Sequence, residues 1–175
     1  TGEILEPYGD LKEGVARSAF SEQAEALAEG GVDFFIVETY VALEEIALAV
    51  AAASQAGLPI AASMAFDPTG RTAFGVSPEE AAQRLAEAGA MVVGANCGTV
   101  SSAEMVDIIA KFREAVSLPL IVQPNAGRPQ WEMYRWLHSS PEEYVTTYRQ
   151  LMEQTPFEIY QPAHGHSRHE REGVE

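Results

Sequence analysis

Cysteine is almost missing from this chain: Cys97 is the only one in 175 residues. A single thiol closes no intrachain disulfide, so the fold must hold by packing and a disulfide-stapled scaffold is excluded. Basic residues are scarce too. Eleven Lys and Arg stand against 26 Asp and Glu, a formal charge of -15, which argues against nucleic acid or an anionic membrane as partner because phosphates would be repelled. The only lysines are Lys12, in the opening loop, and Lys111, in a helical stretch. Neither stands at a strand end, where a Schiff-base aldolase would want one. No run approaches the roughly eighteen apolar residues of a membrane span, and "TGEILEPYGD" has neither the basic patch nor the apolar core of a signal peptide. The default expectation is cytoplasmic. The chain also lacks an initiator Met, and Thr1 opens into a loop punctuated by Gly and Pro, so it is expected to be cut from something longer.

What is present is alternation. Four runs rich in β-branched and apolar residues, "DFFIVETY" (33–40), "PIAASMAF" (59–66), "MVVGANC" (91–97) and "PLIVQPN" (119–125), read as buried strands. Expected strand bounds are 33–38, 59–65, 91–96 and 119–124. Between them lie helical spacings: Leu43, Ile46, Ala47, Val50; Ala81, Ala82, Leu85, Ala86; Met105, Ile108, Ile109, Phe112. Punctuation agrees. Gly57 follows the first helix, Ser77-Pro78-Glu79-Glu80 opens the second with a cap and a first-turn proline, and Ser101 or Ser102 can cap the third. An earlier helix, about 14–29, ends at Gly30-Gly31. Strand and helix thus repeat about every thirty residues, the signature of right-handed βαβ units in a parallel sheet. "SPEE" recurs at 140–143, so a fifth strand is expected just after Glu153, where "FEIYQ" is the best available segment. Beyond it the chain turns polar and rich in His and Arg, the composition of a disordered end.

In parallel α/β proteins the reacting groups sit at the carboxyl ends of the strands. Those ends are Glu38, Ser63, Asn96 with Cys97, and Asn125, all polar after an apolar strand. Singly each has a structural use: Glu38 could cap a helix, Ser63 and Cys97 could be small core residues, and the asparagines could satisfy loop backbone. Together they support a site at one face.

"FFIVETY", "GANCGT" and "QPNAGRP", in this order and spacing, resemble the homocysteine S-methyltransferase family, specifically the homocysteine-binding barrel of cobalamin-dependent methionine synthases. The resemblance runs from about Thr1 to about Glu153. It implies a (β/α)₈ TIM barrel, of which this chain would hold about four to five consecutive parallel units, and methyl transfer to the thiolate of homocysteine. It implies zinc, with Cys97 at the family's first zinc cysteine. Glu38 matches the acid that contacts the amino-acid end of homocysteine, and Asn96 and Asn125 match positions expected to shape the site, with Ser63 beside them. Zinc favours thiolates and keeps one tetrahedral position open for substrate, so a thiol bound there is deprotonated near neutral pH.

The family's adjacent pair of zinc cysteines has no counterpart here. A full barrel takes roughly 250 residues, and residues 1–153 are read as part of one, with 154–175 as a divergent polar tail. His164, His166 and His169 in that tail are nitrogen donors, but a flexible tail fixes no metal geometry. The expected protein is a fragment unable to transfer methyl groups alone, its methyl donor (cobalamin or folate) unassigned. The alternative is a non-catalytic half-barrel module that self-associates, or pairs with a longer homologue, through open sheet edges.

Overall fold

The computed structural model describes residues 1–125, 130–132, 135–137, 140–154 and 159–160. Helix α1 (Glu13–Glu29) leads into β1 (Phe35–Tyr40), α2 (Leu43–Ala53), β2 (Ile60–Met64), α3 (Pro78–Ala88), β3 (Val92–Asn96), α4 (Ser102–Ala115) and β4 (Leu120–Gln123). A short hairpin, β5 (Gln130–Glu132) with β6 (Arg135–Leu137), precedes α5 (Pro141–Gln154) and β7 (Ile159–Tyr160). The five-stranded sheet runs β1-β2-β3-β4-β7, every pair parallel. This is the expected partial barrel of consecutive βα units. No helix among the described residues is long and apolar enough to cross a membrane.

Local chemistry sets the helix ends. Ser77 accepts the Glu80 N–H at 3.2 Å, Pro78 fills the first turn where its missing N–H costs nothing, and Gly89 leaves α3 with φ +107°. At α4 the cap is Ser101: its hydroxyl takes the Glu104 N–H while the Glu104 carboxylate takes the Ser101 N–H, a reciprocal capping box.

Period-two alternation divides each strand between two environments. Phe35, Ile60, Ala62, Met64, Val93, Ala95, Leu120 and Val122 pack outward against the helices, in one core with Ile46, Val50, Leu85, Ile109 and Phe112. Ser63, Gly94, Asn96, Ile121 and Gln123 have the opposite parity and face inward. Gly94 is required there: a Cβ would lie 1.8 Å from the Ile121 carbonyl oxygen of the neighbouring strand, so β3 and β4 approach closely only because the side chain is a hydrogen.

Two expectations change in detail, and one element is additional. The first strand is 35–40 rather than 33–38; Phe34 lies outside it, exposed, and pairing resumes after a register shift at Tyr40↔Met64. The fifth strand exists but is short, Ile159–Tyr160 pairing with Ile121 and Val122 of β4. The hairpin after β4 is not among the expected elements: its strands are three residues each, too short for the alternation in "QWEMYRW" to mark them. The polar tail beyond Tyr160, with His164, His166 and His169, lies outside the described residues.

Candidate functional site at the carboxyl ends of the strands

The four strands deliver their polar ends to one place. Asn96, at the end of β3 and fully buried, is tied to two other strands. Its Oδ1 accepts the Thr39 backbone N–H at 3.0 Å and the Ser63 hydroxyl at 2.8 Å, and its Nδ2 donates to Thr39 Oγ1 at 2.6 Å. Since a backbone N–H can only donate, the amide orientation is fixed. These bonds hold Thr39 at φ +68°, a conformation that a β-branched residue rarely takes. The consequence is the bulge in β1. Glu38 stands inward just before it, and Tyr40, just after it, turns outward to stack edge-on against Phe20 of α1 at 6.2 Å. Burial, with the Glu45 carboxylate adding to it, pushes the Tyr40 hydroxyl up to about 12.

The second connection crosses the sheet. Gln123 at the end of β4 donates Nε2–H to Glu38 Oε2 at 2.8 Å, and its Oε1 takes the longer share, at 3.2 Å, of the one Ser63 hydroxyl hydrogen that also reaches Asn96. β1 and β4 are separated by β2 and β3, about 14 Å on a flat sheet at the usual spacing. The two side chains meet because the sheet curves as a barrel wall does.

Cys97 follows Asn96 with φ +42°, half-buried, its N–H donated to the Gln123 carbonyl at 2.9 Å. Thr39 and Cys97 are the only non-glycine residues with positive φ among those described, and they flank Glu38 and Asn96. Such strain gathers where function needs a particular geometry. Gly98 then turns at φ +68°, where a Cβ would meet the Phe66 carbonyl oxygen at 2.1 Å. Asn125 donates Nδ2–H to the Gly98 carbonyl at 3.1 Å, and Thr99 N–H goes to the Phe66 carbonyl at 3.1 Å. Asn125 thus pins the loop of "GANCGT".

All five residues singled out from the sequence, Glu38, Ser63, Asn96, Cys97 and Asn125, reach this mouth. Thr39 and Gln123 were overlooked. Gln123 carried a signal, as the one polar residue within the buried run "LIVQ", with the inward parity of Ser63 and Asn96. Thr39 carried none, because its backbone is set by a partner 57 residues away. Among the described residues no three His, Cys, Asp or Glu side chains gather as a metal site would require. Cys97 supplies one thiol, and the donor set does not fit a tetrahedral zinc by itself.

Parallel strands with helices outside and a polar ring at their carboxyl ends define a portion of a (β/α) barrel with its site at the C-terminal mouth. The sequence model for homocysteine S-methyltransferases matches residues 1–159, and the chain belongs to that family. Betaine–homocysteine S-methyltransferase 1 of Rattus norvegicus is 37% identical over 112 residues, covering 63% of this chain and 27% of the rat protein. The mouse protein of that name is 34% identical over 130 residues, 74% of this chain and 28% of the relative. The chain therefore spans little more than a quarter of the length of these curated relatives. Among solved structures, the apo homocysteine methyltransferase MmuM of Escherichia coli superposes with a TM-score of 0.71 at 16% identity, over 97% of this chain and 59% of that one. At that identity the likeness shows the fold.

Proposed function

We propose that this chain carries the amino-acid-binding part of a homocysteine S-methyltransferase site and holds homocysteine by its α-ammonium at Glu38, with the sulfur directed toward Cys97. The observation that carries this reading is the Glu38 carboxylate, held by Gln123 at the same mouth as the Cys97 loop, in a chain of this family. A carboxylate fixed before substrate arrives orients the ligand without a reorganisation cost, and orientation is what a bimolecular transfer lacks in water. Ser63, Asn96 and Asn125 support it from behind: each is bonded to protein groups, so they shape the mouth.

The family resemblance carries zinc as its expectation; Cys97 would supply one thiolate to it, and one thiol among the described residues does not make the site. The rat and mouse relatives bear betaine in their names, which adds betaine to cobalamin and folate as donors to be tried. Alone, the chain binds substrate without turning it over. Calorimetric titration of L-homocysteine tests this: binding to the native chain that is lost in Glu38→Ala supports the reading, and equal binding by both refutes it. Methionine formed by the chain alone, with any of the three donors, would refute the assignment as an incomplete enzyme.

A second reading rests on one observation: β1 is an edge of the sheet, with a groove of about 230 Å³ beside it between α1 and the strand. A half-barrel that pairs through this edge would elute as a dimer on size exclusion at all accessible concentrations. A monomer would remove it.

A further inference from the structure

The geometry points to Gln123 as a positioning residue that sets the Glu38 carboxylate for the substrate ammonium, an inference that rests on the proposed homocysteine reading of the site. An ionised carboxylate only accepts hydrogen bonds, so the amide of Gln123 must present Nε2 to Glu38 and Oε1 the other way. The other way lies the Ser63 hydroxyl, whose single hydrogen is shared between Asn96 Oδ1 at 2.8 Å and Gln123 Oε1 at 3.2 Å. The orientation of the amide is therefore set by the shorter bond, to Glu38, with the shared Ser63 hydrogen consistent with it. Ser63 is held in turn by Asn96, and Asn96 by its two bonds to Thr39, the residue next to Glu38. The loop of bonds closes on itself: Glu38 is fixed through its carboxylate by β4 and through the adjoining backbone by β3. Gln123 is almost completely buried, at 2% exposure, so water does not compete for its amide. Its bond to an ionised acceptor is of the stronger, charge-assisted kind. One carboxylate oxygen is turned toward Gln123, and the orientation of the other follows from that.

Gln123→Met keeps the length of the side chain and removes both hydrogen bonds. A merely structural role would weaken every ligand of the mouth alike, whereas a positioning role acts on the ammonium alone. The probes are L-homocysteine and 4-sulfanylbutanoate, which has the same carboxylate and thiol without the ammonium, titrated calorimetrically into the native chain and the variant. The expected result is about tenfold weaker homocysteine binding in Gln123→Met with 4-sulfanylbutanoate unchanged. Homocysteine binding unchanged, or both ligands weakened equally, overturns the inference. If the native chain binds neither ligand the homocysteine reading falls separately. In that case, or if Gln123→Met does not fold, solvent exchange of the Gln123 side-chain amide, read by ¹⁵N NMR, decides. Slow exchange in the native chain that accelerates in Glu38→Ala upholds the lock, and the same rate in both overturns it.

Discussion

The two faces of strands β1 to β4 are built from the same backbone and held by different forces. Outward, aliphatic and aromatic side chains interlock with α2, α3 and α4, and the energy is spread over many small contacts. Inward, at the carboxyl ends, a few polar groups satisfy one another so completely that Ser63, Asn96 and Gln123 can be buried. The first kind of face tolerates exchange of shape at constant volume. The second does not, because removing one member strands the others without solvent. The outer face therefore sets how stable the protein is, and the inner face sets where the carboxylate of Glu38 lies.

The comparison breaks most visibly at Phe112, fully buried and edge-on to Phe66 at 6.0 Å. Phe112→Ala should cost about 3–5 kcal/mol, seen as a fall in the urea midpoint at constant slope. A loss below about 1 kcal/mol would mean that the outer core is not close-packed there. Gly94→Ala should follow at about 2–3 kcal/mol, since the new methyl has to push a backbone carbonyl aside. Asn96→Ala comes next, at about 1–2 kcal/mol, because it strands the Thr39 N–H and leaves Ser63 only its longer bond to Gln123. Part of that loss should disappear in a Thr39→Gly background, where glycine takes the positive φ without steric cost. Strict additivity of the two changes would show that Asn96 does not clamp Thr39.

A smaller effect separates the two sides of the bulge. Tyr40 has a folded pKa raised above its unfolded value of about 10, so the stability it adds is complete below pH 10 and lost as pH rises toward about 12. Thermal melts across that window should fall less steeply for Tyr40→Phe than for the native chain; identical slopes would place Tyr40 in water. Smallest is Cys97→Ser, expected to change stability by no more than about 0.5 kcal/mol. Zinc affinity of the native chain should be micromolar or weaker, about 8 kcal/mol or less, measured against a chromogenic chelator. Tight zinc lost in the serine variant would mean that residues outside those described complete a metal site.

What the sequence revealed was the part governed by near neighbours. Strands, helix caps and strand-end residues follow from alternation, from Ser77-Pro78 and Ser101, and from apolar runs that stop at a polar residue. What it hid was set at a distance. The bulge after Glu38 depends on Asn96, and the importance of Gln123 depends on sheet curvature that brings β4 across to β1. Glu38 is legible both as a polar strand end and as a family position, while its fixed orientation depends on Gln123, 85 positions away.

The bond between Glu38 and Gln123 spans 85 positions of chain, and this has a consequence for the order of events during folding. The αβ units can each gain local contacts as they form, but this pair has to wait for a loop of that length to close, with β2 and β3 already in place between its ends. The fixed carboxylate at the mouth is then among the last features to be completed. A nascent chain released before β4 would have helices and three paired strands and would still lack the partner that fixes Glu38.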